Sequence, residues 1–234
     1  MISRSSAFIT ASRLCVAWCL SSILSTHAWA GVILPNLPPG SEYQLIFATS
    51  GEIAATSGSI TTYNTFATNQ AASLAALVPA GVTWDAVVST GTLSSNEAVN
   101  NAPSFAGIPV YDTQGDKISD GSLYSGSLLS PINYTQSGGS PPIDLIWTGS
   151  DPTGASLNPL GVADPEFGLS SSSGSAWMAS ANNTPAGVPW PIYVLSSPIT
   201  VVPEPGTISL LAAMVAFCAG IALRRVGRAR SQAA

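Results

Sequence analysis

The chain has 234 residues, a formal net charge of −5 and only 8% charged residues. Its cysteines and its single histidine all lie near the two ends, at Cys15, Cys19, His27 and Cys218. The long segment between them therefore excludes disulfides, Cys/His zinc sites and catalytic sites that need histidine or cysteine. Because Lys117 is the only basic residue between positions 31 and 202, nucleic acids and sulfated glycans are also excluded as partners.

The first 30 residues have the pattern of a secretory signal peptide. Arg4 and Arg13 come before or at the start of an apolar run over residues 14–24. Ala28-Trp29-Ala30 follows with the small side chains that signal peptidase needs, so cleavage is predicted after Ala30, with Gly31 as the first mature residue. The alternative is an uncleaved anchor, for which the apolar run is short. We therefore expect signal peptidase and the general secretion machinery to be partners.

Residues 31–201 are predicted to form one exported α+β domain. Residues 43–47 have the aromatic and β-branched composition of a strand. Over residues 61–78, apolar residues recur at three- and four-residue steps, which predicts an amphipathic helix ended by Pro79. Short strand-like runs then alternate with long polar loops, at residues 84–89, 108–111, 143–148, 176–179 and 192–202. A length of roughly 170 residues is sufficient for one apolar core.

Three aspartates at four-residue spacing are candidate metal ligands. Asp112, Asp116 and Asp120 surround Gly115 and precede Gly121, and carboxylates in a glycine-rich loop can coordinate calcium. The spacing is not that of an EF-hand, and Asp and Gly are also the usual residues of solvated turns. The turn is the favoured interpretation, and no cofactor is expected.

The acidic residues of the later loops are another candidate site. Asp151, Asp164 and Glu166 could supply the two carboxyl groups of a glycoside hydrolase, about 5 to 9 Å apart. The first two precede prolines, which is typical of turns, so a catalytic role is not favoured.

Trp84 and Trp147 lie in apolar runs and are predicted to be core residues. Trp190 lies between two prolines and is predicted to be exposed, where it could stack on sugar rings.

Residues 202–234 consist of three consecutive parts. Residues 202–206 contain Pro203, Glu204 and Pro205, and residues 207–223 form an uncharged apolar run. As a helix this run would be roughly 25 Å long, slightly less than a bilayer core. The basic segment 224–234 carries arginines that would mark the cytoplasmic side of the membrane: Arg224, Arg225, Arg228 and Arg230.

This tail resembles the PEP-CTERM sorting signal, in which a Pro-Glu-Pro motif, a short hydrophobic helix and a basic terminus occur in the same order. The resemblance implies that the chain is a substrate of exosortase, a membrane-embedded cysteine transpeptidase. It also implies a Gram-negative-type bacterium, usually one that makes extracellular polysaccharide. The alternative is an ordinary membrane anchor.

The exported segment resembles the endostatin-like branch of the C-type lectin-like fold over roughly residues 60–200. The resemblance lies in the order of residues 85–89, 108–111, 123–127, 146–154 and 192–195, above all in the sequence from Trp147 to Asp151. It implies that the first strand pairs with the last strand. The disulfides, histidine metal ligands and basic surface of endostatin have no counterpart here, nor do the sugar-binding motifs of calcium-dependent lectins.

Together these patterns favour a non-catalytic exported protein of the cell surface or extracellular matrix. We expect it to be held in the inner membrane before exosortase processes it, and then to associate with extracellular polysaccharide. One alternative is a lectin-like module that binds carbohydrate through exposed aromatic side chains. A more remote alternative is a glycoside hydrolase.

Overall fold

The computed structural model describes residues 31–91 and 93–202, which form a mixed α+β fold with one main helix and several short strands. The predicted α+β class is therefore confirmed. The predicted signal-peptide residues Ala28 and Ala30 lie outside the described residues. So do the Pro-Glu-Pro motif, the apolar run 207–223 and the arginines after it. In the described residues, no helix has the length and apolar composition needed to cross a membrane.

Ten strands occur in the described part of the chain: β1 (Glu42–Ala48), β2 (Ile53–Ala54), β3 (Trp84–Ala86), β4 (Val110–Tyr111), β5 (Lys117–Ser119), β6 (Leu145–Trp147), β7 (Phe167–Leu169), β8 (Pro189–Trp190), β9 (Tyr193–Ser196) and β10 (Ile199–Thr200). The main sheet has the order β3-β9-β1-β4-β5, and β10 also pairs with β1. Of these pairs, only β1 with β4 is parallel. Two small sheets are formed by β2 with β8 and by β6 with β7.

Strand β1 lies at the centre of the main sheet, between β9 and β4, and every residue after Glu42 is buried. It pairs with β9 and β10, as predicted for the first and last strands, with Ile46 opposite Leu195 and Tyr43 opposite Ile199. The β9–β10 side therefore has one more residue than β1 between these pairs, which is a bulge. At the bulge, the Ser196 hydroxyl accepts the Leu45 backbone N–H at 2.8 Å.

The main helix, α1, spans Ile60–Ala71 and continues as one 3₁₀ turn over Ala72–Leu74. Its start agrees with the prediction, but the regular helix ends earlier than residue 78. After α1 the hydrogen bonds become those of a 3₁₀ helix, between residues three apart, such as Leu77 N–H to Leu74 C=O at 2.8 Å. Pro79 then ends the helical conformation. The buried face of α1 consists of Tyr63, Ala67 and Ala71 and packs against β3.

One predicted strand is wrong, and one short helix was not predicted. Residues 176–179 do not form a strand, because Ser175–Trp177 is a 3₁₀ turn. The Met178 N–H donates to Ser175 C=O at 3.2 Å, which closes this turn, and Trp177 and Met178 are both fully buried. The helix α2 covers only Ala98–Asn101, too short to show a periodic pattern.

The core contains two groups of packed side chains. A large cluster includes Ile46, Val110, Ile118, Trp177 and Tyr193, which come from strands and loops far apart in the chain. A smaller aromatic cluster joins Trp147, Phe167 and Trp190, whose ring centroids lie 4.3 to 6.3 Å apart. The domain is thus stabilised by apolar burial among the described residues, as its composition predicts.

Candidate functional site

The three aspartates at four-residue spacing lie in and beside the β4–β5 hairpin. Asp112 is buried, and its Oδ1 accepts the backbone N–H groups of Gln114 at 2.8 Å and Asp116 at 2.9 Å. Asp120 is exposed and pairs with Lys117 Nζ at 2.8 Å. Within residues 31–91 and 93–202, no group of three or more acidic, Cys or His side chains is placed to hold a metal. Asp112 therefore acts as a turn residue.

The environment of the Asp112 carboxylate is only partly favourable to its charge. Burial raises its pKa, while the hydrogen bonds from the Gln114, Asp116 and Gly115 backbone act in the opposite direction. Its Oδ2 is buried and has no hydrogen-bond partner. The hairpin thus contains a buried carboxylate with one hydrogen-bonded oxygen and one oxygen without a partner.

The acidic residues of the later loops also have local roles. Asp151 Oδ1 accepts the Thr153 N–H at 2.8 Å, the Thr153 hydroxyl at 2.6 Å and the Ala155 N–H at 3.2 Å, which closes a turn. Glu166 is buried and accepts the Asn158 amide at 3.1 Å, and burial raises its pKa. Asp164 is exposed. Their hydrogen bonds assign Asp151 and Glu166 to holding loops in place.

The predicted exposure of Trp190 is wrong. The side chain is only 7% exposed, and its ring stacks on Trp147 with centroids 4.3 Å apart. The physical reason is that Pro189 and Trp190 form β8, which pairs with β2 and turns the indole inward. Trp84 and Trp147 are buried, at 7% and 0% exposure, which confirms their prediction as core residues. Trp190 thus offers no stacking face.

The structure contains a groove that the sequence did not predict, where α1 crosses the edge strand β3. It has a volume of about 460 Å³ and is open to solvent. We call it the α1–β3 groove. It is lined by Asn64, Thr65, Thr68, Asn69, Val82, Thr83, Trp84 and Asp85. Its volume falls in the range of small-molecule sites, about 300–1,000 Å³.

The floor of the α1–β3 groove is fixed by an amide network. Asn64 Oδ1 accepts the Ala86 N–H at 3.0 Å and the Asn101 Nδ2 at 2.9 Å, and Asn64 Nδ2 donates to Asn101 Oδ1 at 2.9 Å. Asn101 Nδ2 also donates to Ala86 C=O at 2.7 Å. These bonds join α1, β3 and α2, so they fix the position of the helix against the edge strand.

Four other polar side chains of the groove have no hydrogen bond to a described residue: Thr65, Asn69, Thr83 and Asp85. Together they present one carboxylate, one amide and two hydroxyls. Asp85 is half-buried, and burial raises its pKa. In the sequence, the only sign of this site is that the outward face of α1 carries Asn and Thr in place of the charged residues usual on exposed helices.

A second depression adjoins the first and has a volume of about 250 Å³. It is lined by residues 79–82, 197–200 and 202, so Val82 belongs to both. No model of a known protein family and no curated protein matches the chain.

Proposed function

We propose that the chain is an exported, non-catalytic surface or matrix protein that exosortase recognises and processes near Pro203, Glu204 and Pro205. The observation that carries this proposal is the order of motif, apolar run and arginine cluster within residues 202–234. The signal-peptide pattern ahead of Gly31 agrees with it, since an exosortase substrate must first be exported.

The end of the folded domain is compatible with processing at this motif. Val201 N–H donates to Ser41 C=O at 2.8 Å, and Gly40 N–H donates to Val201 C=O at 2.8 Å. The sheet is therefore held up to Val201, two residues before Pro203. A cut at or after the motif would leave all of these backbone hydrogen bonds in place, so the released domain would stay folded.

The motif itself has the chemistry of a recognition segment. Each proline fixes φ and removes a backbone donor, which disfavours a helix at this point. Glu204 adds one negative charge next to a long uncharged run. Exosortase would recognise the motif in an extended form.

For the exported domain we propose the C-type lectin-like architecture, endostatin-like branch. The pairing of β1 with β9, which brings the two ends of the domain together, supports it. A single main helix and long loops between short strands are also in keeping with it. A fold alone does not assign a ligand, so binding must be argued from a specific surface.

Carbohydrate binding is the second candidate function, and the α1–β3 groove is the observation that favours it. The groove offers unpaired amide, hydroxyl and carboxylate groups, which are the groups that hydrogen-bond sugar hydroxyls. This candidate adds to the sorting proposal, because a protein delivered to the cell surface would meet extracellular polysaccharide there.

The sorting proposal is tested by replacing Pro203, Glu204 and Pro205 together with alanine in cells that contain exosortase. Export and signal-peptide cleavage should continue, while processing at the C-terminal side should stop. The matched control changes Pro141 and Pro142 to alanine, because these prolines lie in a surface loop of the domain. Release of the motif variant at the normal rate would contradict the proposal.

A further inference from the structure

We infer that the α1–β3 groove binds neutral, hydroxyl-rich polysaccharide, using Asp85 as its central hydrogen-bond acceptor. The inference deepens the proposed function and rests on it for the source of the ligand, the matrix around the exporting cell. It starts from a groove of about 460 Å³ in which four polar side chains, Thr65, Asn69, Thr83 and Asp85, have no hydrogen bond to a described residue.

Some polar side chains of the groove hold its walls together, and others have no partner. Asn64 is fully engaged with Ala86 and Asn101, and the Thr68 hydroxyl donates to Trp84 C=O at 3.4 Å. These side chains hold the walls. The side chains of Asp85 and Asn69 have no hydrogen bond to a described residue. Asp85 is also partly removed from water, which disfavours its charged form and raises its pKa. A ligand with hydroxyl donors would offset that cost.

The charge distribution favours a neutral ligand. The only cation of residues 31–202 is Lys117, which lies on β5, whereas the groove lies beside β3 at the opposite edge of the main sheet. An anionic glycan would meet the Asp85 carboxylate with no cation to balance it. A metal ion would find a single carboxylate, since Asp85 is the only acidic residue in the lining. Sugar hydroxyls require neither a cation nor a second acid.

Each free group fits a part of a sugar. The Asp85 carboxylate can accept two hydroxyl protons in charge-assisted bonds, which are the strong ones. The Asn69 amide can both donate and accept, and the Thr65 and Thr83 hydroxyls can do the same. Trp84 is nearly buried and tilts against Phe47 with ring centroids 5.6 Å apart, so it contributes an apolar edge and not a stacking face.

The shape favours a polymer over a single sugar. The groove is open to solvent, so a chain longer than one sugar can lie across it. A second depression of about 250 Å³ shares one lining residue, Val82, with the groove. The affinity for a single sugar would be low because the site is exposed to water. Many copies at a surface, or several positions along one polysaccharide, would raise the overall avidity without new contacts.

The test is affinity electrophoresis of the full-length protein, purified in detergent, through gels that contain one polysaccharide each. Dextran, galactomannan and hydroxyethylcellulose serve as neutral probes, and alginate and chondroitin sulfate serve as anionic probes. We expect retardation in at least one neutral gel and none in the anionic gels. The absence of retardation in all neutral gels, or stronger retardation by an anionic probe, would overturn the inference.

Two variants locate the site. Asp85→Ala should weaken binding of the retarding probe by roughly ten- to a hundredfold, as expected for the loss of charge-assisted hydrogen bonds. Asn69→Ala, on the solvent-exposed side of α1, should weaken it less. The matched control is Asp164→Asn, because Asp164 is an exposed carboxylate outside the groove lining and should bind as the unchanged chain does. Equal retardation of all three variants would overturn the inference.

This assay separates the groove from the sorting proposal because purified protein is used without exosortase. Thermal unfolding of Asp85→Ala at the same midpoint as the unchanged chain shows that lost binding is not lost folding. If that midpoint falls, Asp85→Asn replaces it, because this variant keeps the shape of the side chain and loses only its charge. Weaker retardation of Asp85→Asn would then show that the carboxylate takes part in binding. Retention by dextran together with unprocessed protein in cells would support the groove and contradict sorting.

Discussion

Replacing Trp190 by alanine should destabilise the domain strongly, because the structure places this side chain in the core. The ring is 7% exposed and contacts two others, with centroid distances of 4.3 Å to Trp147 and 5.1 Å to Phe167. Truncation of a buried tryptophan to alanine costs about 3–5 kcal/mol, which includes lost burial and the cavity that remains. For a domain of this size, such a loss lowers the midpoint of thermal unfolding by about 6–20 °C.

The assay is urea and thermal unfolding of the full chain in detergent, followed by near-ultraviolet circular dichroism, which reports on packed aromatic rings. Trp190→Phe should lie between the alanine variant and the unchanged chain, since it keeps part of the ring contact. Leu157→Ala is the control, because Leu157 is 52% exposed and its truncation should change the free energy of unfolding by less than about 0.5 kcal/mol. A loss below about 1 kcal/mol for Trp190→Ala would mean that the side chain is exposed, and the packing argument would be refuted.

Two further predictions concern the hairpin and the 3₁₀ turn. Because burial raises the pKa of Asp112, the folded chain holds a proton that the unfolded chain releases, so the free energy of unfolding should fall as pH rises from about 4 through the raised pKa. Asp112→Asn should remove that part of the slope in unfolding curves measured between pH 4 and 7, and an unchanged slope would contradict it. Gly168→Ala should destabilise the domain by about 1–3 kcal/mol or more, because an added Cβ would overlap the Trp177 carbonyl. Gly187→Ala is its control, with no atom near the added carbon, and equal denaturation midpoints for the two variants would refute the overlap.

The parts of the fold that were predictable from sequence have strong local patterns. Residues 43–47 combine aromatic and β-branched side chains over a full strand length, and they form β1. The three- and four-residue spacing of apolar residues over 61–78 predicted the helix α1, although the regular helix ends at Ala71. In both segments the local preference and the tertiary environment agree, so the periodicity alone was informative.

The errors occurred where tertiary contacts decide the outcome. Trp190 has prolines on both sides, which locally suggest an exposed loop, but pairing of β8 with β2 brings its ring onto Trp147. Residues 176–179 have strand-like composition, but the close approach of Gly168 to the Trp177 main chain goes with a tight turn. No pattern within either segment contains information about its distant partner.

The α1–β3 groove was not predictable for a related reason. Asn69 and Asp85 are 16 positions apart, and neither belongs to a recognised motif. They come together because β9 holds β3 in the sheet while Asn64 joins α1 to β3. Only the excess of Asn and Thr on the outer face of α1 hinted at a surface with a role beyond solubility.

The most direct test of the account is the mass and the terminal peptides of the mature protein from its native cells, compared with cells that lack exosortase. We predict a chain that begins at Gly31 in both, and that ends near Pro203 only where exosortase is present. A chain that retains residues 207–234 in both kinds of cell would show a plain membrane anchor, and the sorting proposal would be contradicted.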